Sequence, residues 1–591
     1  MRADIAHLDR GVSFASGMFH YPAREADTPA CTGHSHVQTS LSLKGELILS
    51  TVDISAIAQI ARHAKVHPSM VAVNYEGREV TYAELHELAG RFAAGLRADG
   101  VAPGDRVAYA GHNSLTFLAT YFAAIWVGAA FVPVNFRLAA PEVRAVIEDS
   151  RPDLVVAESA HAMLIDGFLD EVAVRRSLLV DDDPWLESPV GLSDGWHSFE
   201  RFRTAHAEAP PHVPQSDADL AALLYTSGTT GKPKGVMLTH GNLWWNWVNV
   251  DSVVDTRFGD VCFAAAPLFH IGGFNAVALR TITRGGTLVV RRAFDPAQAL
   301  RDLEDLQVNS MFLVPAMLAG IQHQPGFADA DLSQLRSTIA AGAPVPPALI
   351  AAYAEKGVLI QQAWGLTETS PFSTYLEASM TEAKLGSCGI GMPYTRVKVV
   401  DPATLDDITE AGRTGELWVN GPNVSSGYWN NPNATTGVFT PDGWFRTGDI
   451  GYADEDGYLF IVDRLKDMVI SGGENVYPAE IENVLNAHPA IADVAVIGVP
   501  DEKWGEAVCA VVAFHGDGLS IEAIREFLIG TIARYKLPSR LIVLDAIPRN
   551  GAGKLDKPLI RRIVSGLSAT RVAALDAPPF TEAVRASAPK R

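Results

Sequence analysis

Between Tyr225 and Gly235 the chain reads Tyr-Thr-Ser-Gly-Thr-Thr-Gly-Lys-Pro-Lys-Gly, a run of hydroxyls and glycines with two lysines. Glycines let backbone N–H groups converge on an anion, Ser and Thr add donors, and lysines add charge, which together suit a loop wrapped around a polyphosphate. A merely flexible loop would not need donors at this density. The competing phosphate loop, the Walker A type, requires four residues between its glycines and a Ser or Thr directly after the lysine. Here only Thr229 and Thr230 separate Gly228 from Gly231, and Pro233 follows Lys232. The loop is a phosphate cradle of another kind.

The elements around it must place it. Leu220 to Tyr225 reads as a buried strand running straight into the loop. Upstream, Thr81 and Glu84 form a capping-box pattern ahead of Leu85, Leu88, Phe92 and Leu96 at helical spacing. Strand-like Arg106 to Ala110, helix-like Ser114 to Trp126 and strand-like Phe131 to Val134 continue the rhythm of a doubly wound α/β sheet. After Asp463 the pattern changes to a compact α+β unit: a helix over Ala479 to Leu485, strands around Val494 to Ile497 and Ala507 to Phe514, a helix over Ile521 to Ala533 and a strand over Leu541 to Leu544. The fold class predicted is therefore α/β, a large body with doubly wound sheets and a small α+β cap. Residues 1–51 are expected to be a loosely ordered extension, 52–465 the body, 466–569 the cap and 570–591 a tail. His34 and His36 in the extension lack a defined third ligand and are assigned nothing.

At 591 residues the chain exceeds what one core usually organises. A formal net charge of −20 argues against a nucleic-acid partner, which would meet a basic face. The cysteines Cys31, Cys262, Cys388 and Cys509 form no C-x-x-C pair, disfavouring a zinc site or a disulfide framework. With neither a signal-peptide pattern nor a long apolar run, a cytoplasmic protein is expected. Peripheral membrane contact and homo-oligomerisation stay open.

The Tyr225–Gly235 segment resembles the signature of the adenylate-forming superfamily, which includes acyl-CoA synthetases, peptide-synthetase adenylation domains and firefly luciferases. Other blocks of that family follow in order, so the resemblance runs from about Val52 to about Val564. It implies that Thr226, Ser227, Gly228, Thr229, Thr230, Gly231 and Lys232 bind the ATP phosphates, with Gly342, Ala343 and Pro344 joining the nucleotide site. Trp364-Gly-Leu-Thr-Glu-Thr369 is similar to the block whose aromatic ring stacks on adenine while Thr367 and Glu368 reach the α-phosphate and magnesium. Gly365 lies in that block, and Thr226 and Glu368 are the implied metal residues; oxygen donors suit a hard cation. The family more often has Tyr at position 364, so Trp changes the width of the pocket. Asp449, in Gly443-Trp-Phe-Arg-Thr-Gly-Asp449, matches the ribose-binding aspartate, and Arg464 the ribose and phosphate contact. Lys466 falls at the family's hinge between body and cap, and Ser471, Gly472 and Gly473 at its pantetheine channel. Lys554, in Arg549-Asn-Gly-Ala-Gly-Lys-Leu555, matches the catalytic lysine. Taken alone, an aspartate after glycine is a turn residue and a lysine is surface; the shared order raises both.

The resemblance implies a ligase that uses ATP, Mg2+ and coenzyme A to join a carboxylic acid to a thiol through an acyl-adenylate. Lys554, Thr226 and Glu368 would serve the first half-reaction, before the cap turns. For the acid, Pro267-Leu-Phe-His-Ile-Gly-Gly-Phe274 has no aspartate to meet an amino acid's ammonium group. His270, Gly272, Gly273, Phe274 and Gly342 are the expected acyl pocket, although glycines also serve close backbone packing. A medium- or long-chain fatty acid is the substrate expected; an aryl acid, or transfer to a carrier protein, is the alternative. A degraded relative that only senses nucleotide would have lost Lys554 and Glu368, and both are present.

Overall fold

The computed structural model describes residues 52–591 except 187–190, 207, 227–232, 344, 472–473, 502–504, 517, 530, 533, 551–552, 567–584 and 587–591. Two large sheets carry the body. In the seven-stranded sheet the order is Trp196–Ser198, Arg176–Leu179, Leu154–Ala157, Arg106–Ala110, Ala130–Val134, Leu220–Thr226, Lys234–Thr239. Its strands pair in parallel up to the last, antiparallel pair. The nine-stranded sheet runs Ile390–Gly391, Phe372–Tyr375, Ile360–Gly365, Ser337–Ala340, Ser310–Leu313, Val261–Ala264, Thr287–Val290, Val71–Tyr75, Arg78–Thr81.

Helix Tyr82–Ala98 begins at Thr81 with the expected capping box, and Leu115–Trp126 is capped by the Ser114 hydroxyl. Every residue of Leu115–Trp126 after Leu115 is buried. A helix apolar on all sides belongs between layers, and one continuous core joins it to strands of both sheets.

The sheets are also tied by charge. Glu158, only 2% exposed, caps the end of strand Leu154–Ala157, whereas Arg292 follows strand Thr287–Val290 of the other sheet. The Arg292 guanidinium donates to both Glu158 oxygens, at 3.1 and 2.7 Å, and the Tyr109 hydroxyl donates at 2.8 Å. Burial alone would raise the Glu158 pKa, but hydrogen bonds from His112 and Arg292 reverse this and hold it at about 2.

A third sheet of five strands, Asp407–Ile408, Arg396–Val400, Gly415–Asn420, Phe445–Ala453 and Leu459–Arg464, leads to the C-terminal unit. There Ile491–Asp501 and Gly505–Phe514 form a long antiparallel pair, with Arg540–Leu544 beside the latter in parallel. The helix expected to reach Ala533 stops at Leu528, because Ile529 is extended and Gly530 follows. Within the stretch read as a tail, Arg585–Ala586 pairs with Val543 and Leu544.

Replacing Arg292 with Met leaves a buried carboxylate unpaired, which should cost about 3–5 kcal/mol in a urea titration at neutral pH. Because folding lowers the Glu158 pKa from 4.5 to about 2, its contribution is fully present above the unfolded value and is lost as pH falls through that window. The difference between wild type and variant should therefore shrink on acidification from pH 5 towards 2; a constant difference would contradict this.

Candidate active site

Strand Ile360–Gly365 ends in the 3-10 turn Thr367–Thr369, which carries Glu368. Gly365 is obligatory, since a Cβ there would lie 1.8 Å from the Pro371 carbonyl oxygen. The Thr369 hydroxyl receives the Leu366 N–H at 2.8 Å and closes the turn. Asparagines hold the rest. Asn423 donates to the carbonyls of Thr369 and Phe372 at 2.7 and 3.0 Å, and Asn275 donates to that of Ser370 at 2.5 Å. Asn246 accepts the Phe372 N–H at 3.3 Å, and Asn242 donates to Pro422 and Val424 at 2.9 and 2.8 Å. Asn242, Asn246 and Asn249 lie at i, i+4 and i+7 on helix His240–Val253, and all are buried on its inner face. That spacing is visible in the sequence and marks a polar stripe facing inward.

Glu368, 8% exposed, accepts the Tyr428 hydroxyl at 2.7 Å. Tyr428 in turn lies under Lys234, whose Nζ is 5.1 Å from the ring centroid. Thr226 pairs with Lys234 across the antiparallel hairpin, so these two residues form the neck of the expected phosphate loop. Ser227 to Lys232 lie outside the described residues, as do Pro344, Gly472 and Gly473. The neck is anchored by Trp429 N–H to Gly235 C=O at 2.8 Å and Met237 N–H to Gly427 C=O at 3.0 Å. Gly235 is glycine because a side chain would meet the Tyr225 ring at 2.9 Å. Tyr428 carries no motif of its own; only its partner identifies it.

Asp449 is 3% exposed and stands on strand Phe445–Ala453, opposite Arg464 in the ladder. Arg464 ion-pairs with one carboxylate oxygen, and the Trp364 indole N–H donates to the other at 2.8 Å. Burial pushes the Asp449 pKa up, opposed by Arg464, Trp364, Lys554 and Lys466. Lys554 is held on a turn in which Asn550 N–H meets the Lys554 carbonyl at 2.8 Å and the Lys554 N–H meets Asn550 Oδ1 at 3.1 Å. Its side chain is open to solvent. Crowding by protein lowers its ammonium pKa, as do Arg464 and Lys466, while Asp449 raises it. His270 is pushed down to about 4, first by burial and then by the cations Arg137 and Lys554. Residues from four distant segments, His270, Asp449, Arg464 and Lys554, thus share one electrostatic neighbourhood. Thr367 sits beside Glu368 in its turn, and Lys466 lies two residues after Arg464. Ser471 ends a short strand of the C-terminal unit.

The residues expected at the acyl pocket differ in burial and packing. Phe274 is fully buried in a ring cluster with Phe117, Tyr121 and Phe131, so it belongs to the core. A Cβ on Gly272 would meet the Phe312 ring at 2.6 Å, and one on Gly273 the Pro267 carbonyl at 2.6 Å. Both glycines serve close packing within a π-helical stretch, Gly272–Leu279. Gly342, at φ 89°, and Ala343 remain exposed.

Thr226 and Glu368 offer oxygen ligands, and the buried Glu368 carboxylate fits Mg2+. Among the described residues, His112, Glu158 and His161 also lie close enough to hold an ion. There, however, the Arg292 cation already occupies both oxygens of Glu158.

Residues 60–429 match the family model for the AMP-binding enzyme, and residues 480–554 that for the AMP-binding enzyme C-terminal domain. The chain is 42% identical over 503 residues to a feruloyl-CoA synthase of an Amycolatopsis species, covering 85% of this chain and 97% of that protein. It is 38% identical over 508 residues to a long-chain-fatty-acid–CoA ligase of Mycobacterium tuberculosis, covering 85% and 97%. Among solved structures, the Bacillus subtilis o-succinylbenzoate CoA synthetase in complex with its acyl-adenylate intermediate superposes with a TM-score of 0.76 at 30% identity, covering 86% of this chain and 98% of that one.

Tyr428→Phe removes the donor to a buried carboxylate. It should lower stability by about 1.5–3 kcal/mol in chemical denaturation, and an unchanged midpoint would show that water replaces the hydroxyl.

Proposed function

The chain belongs to the AMP-binding enzyme family, as an acid–CoA ligase working through an acyl-adenylate with ATP, Mg2+ and coenzyme A, and from that premise we propose that its acid is an aryl carboxylic acid. The observation that carries the chemistry is the buried Asp449 carboxylate, held by Arg464 on one oxygen and the Trp364 indole N–H on the other. Asp449, an acceptor fixed in a buried site, receives the ribose hydroxyls. The phosphates lie against the loop whose neck is Thr226 and Lys234. Glu368 and Thr226 would hold Mg2+, which when bound would neutralise phosphate charge that otherwise repels an incoming carboxylate.

A carboxylate oxygen of the acid then bonds to the α-phosphorus as the bond to pyrophosphate breaks. The Lys554 ammonium orients both groups and stabilises the charge that develops on the phosphoryl oxygens. In the second half-reaction the thiol sulfur of coenzyme A bonds to the acyl carbon and AMP leaves. Lys466 serves as the joint about which the C-terminal unit turns, withdrawing Lys554 and bringing Ser471, Gly472 and Gly473 to the thiol's path. His270, with its pKa near 4, is neutral throughout and acts as an apolar-sided wall with a polar tip.

The aryl reading is supported by the packing of Gly272 and Gly273, which the Phe312 ring and the Pro267 carbonyl fill, so that neither glycine opens a tunnel for a long chain. It is also supported by relatives named for ferulate and o-succinylbenzoate. A fatty acid is the second reading, supported by the Mycobacterium tuberculosis relative.

Acyl-CoA formation should be followed by mass spectrometry with ferulate, benzoate and fatty acids from hexanoate to stearate. The aryl reading requires a higher kcat/KM for an aromatic acid; a maximum at palmitate or stearate would overturn it in favour of the second. Lys554→Ala should lower adenylation at least ~10²-fold while sparing thioester formation from supplied acyl-adenylate. Equal loss of both half-reactions would refute the division of labour between them.

A further inference from the structure

Trp364 stands where the family more often carries tyrosine, and the indole differs from a phenol in where its polarity lies. Its one polar atom is the Nε1 donor on the flank of the ring, whereas a tyrosine hydroxyl sits at the far end. In this protein that N–H is not turned to solvent. It donates to Asp449 Oδ2 at 2.8 Å, while Arg464 Nε engages Oδ1. The ring itself is only 9% exposed and packs with Cys388, Val399, Leu417, Val419 and Leu459. Anchored in that cluster, the donor has little freedom to move.

We propose that Trp364 is a positioning residue for the nucleotide: its indole N–H, donated to Asp449, fixes the plane of the carboxylate that receives the two ribose hydroxyls. This rests on the reading of Asp449 as the ribose acceptor. A carboxylate oxygen can accept more than one hydrogen bond. With one permanent donor on each oxygen, the group cannot rotate, and the remaining acceptor directions are set before ATP arrives. The diol of a ribose presents two donors in a fixed relation and gains most from such a preset pair. Without the indole N–H, Oδ2 is tethered by nothing in the ring, and the carboxylate is free to tilt about the Arg464 contact. Stacking on the base does not require the N–H, so the two roles of the ring are separable.

Two replacements delete the donor while keeping an aromatic ring: Trp364→Phe, and benzothienylalanine at position 364, which puts sulfur in place of N–H within the same bicyclic shape. The second keeps the comparison valid should the smaller ring disturb folding. Pyrophosphate release is measured with ATP and with 2′-deoxy-ATP at saturating acid, alongside Asp449→Asn. Loss of a hydrogen bond to a charged group predicts a KM for ATP raised about tenfold, with kcat changed by less than about threefold and the KM of the acid unchanged. The preference for ATP over 2′-deoxy-ATP should fall by about the same tenfold, since a tilted carboxylate no longer rewards the 2′-hydroxyl. If Asp449→Asn weakens ATP but both Trp364 replacements leave KM and the preference unchanged, the positioning role is wrong and the reading of Asp449 stands. If Asp449→Asn also leaves them unchanged, the reading of Asp449 is what fails.

Discussion

A carboxylate taken out of water must be paired, and the site is organised around that requirement. Asp449 is the sharpest case. At 3% exposure its charge is sustained by Arg464 on the neighbouring strand and by the Trp364 indole, with Lys466 and Lys554 adding positive potential. Those supports engage the acid without saturating it, because one donor per oxygen leaves further acceptor directions. Glu158 is the contrasting case. Arg292, Tyr109 and the His112 backbone close around it, so that it holds two sheets together and has nothing to offer a ligand. The same desolvation is structural in one place and receptive in the other, and the difference is the number of donors supplied by the protein itself.

The sheets decide where those acids can stand. Trp364 and the turn bearing Glu368 close strand Ile360–Gly365, and the expected phosphate loop follows strand Leu220–Thr226 in the sequence, strand ends being where open α/β sheets bind ligands. Between them, helix His240–Val253 spends three buried asparagines on the backbone of the loops rather than on apolar packing. That choice forgoes hydrophobic stabilisation. It gives backbone carbonyls and N–H groups without a ladder partner the hydrogen bonds they need, which is how an irregular turn stays rigid enough to aim Glu368.

What could be read from the sequence follows this division. Strands such as Arg106–Ala110 and Leu220–Thr226 and the capped helix Tyr82–Ala98 show their periods locally, and the structure returns them within a residue or two. Glu368, Asp449 and Lys554 could be proposed because each lies in a motif whose order along the chain is informative. Tyr428 could not, since its meaning comes from Glu368, 60 residues away, and Asn242 works on Val424, 182 residues away. Gly272 and Gly273 stayed open between pocket and packing for a related reason. A glycine without a side chain looks the same in a sequence whether it opens a cavity or admits a neighbour's ring, and only the position of Phe312 decides.

Lys554 differs from the two acids in a way that fits its proposed task. Asp449 and Glu368 are buried on regular elements or on a braced turn, whereas Lys554 is presented on a short turn, with its side chain wet. A fully buried ammonium would need a permanent anion, and removing it from such a partner would cost several kcal/mol by the same desolvation logic. A hydrated ammonium beside an acid already shared with Arg464 loses little when it departs. Its crowding and its cationic neighbours lower its pKa, while Asp449 raises it. On the proposed mechanism, the group that would enter and leave is the exposed Lys554, and ATP would supply the differential interaction that makes its entry favourable.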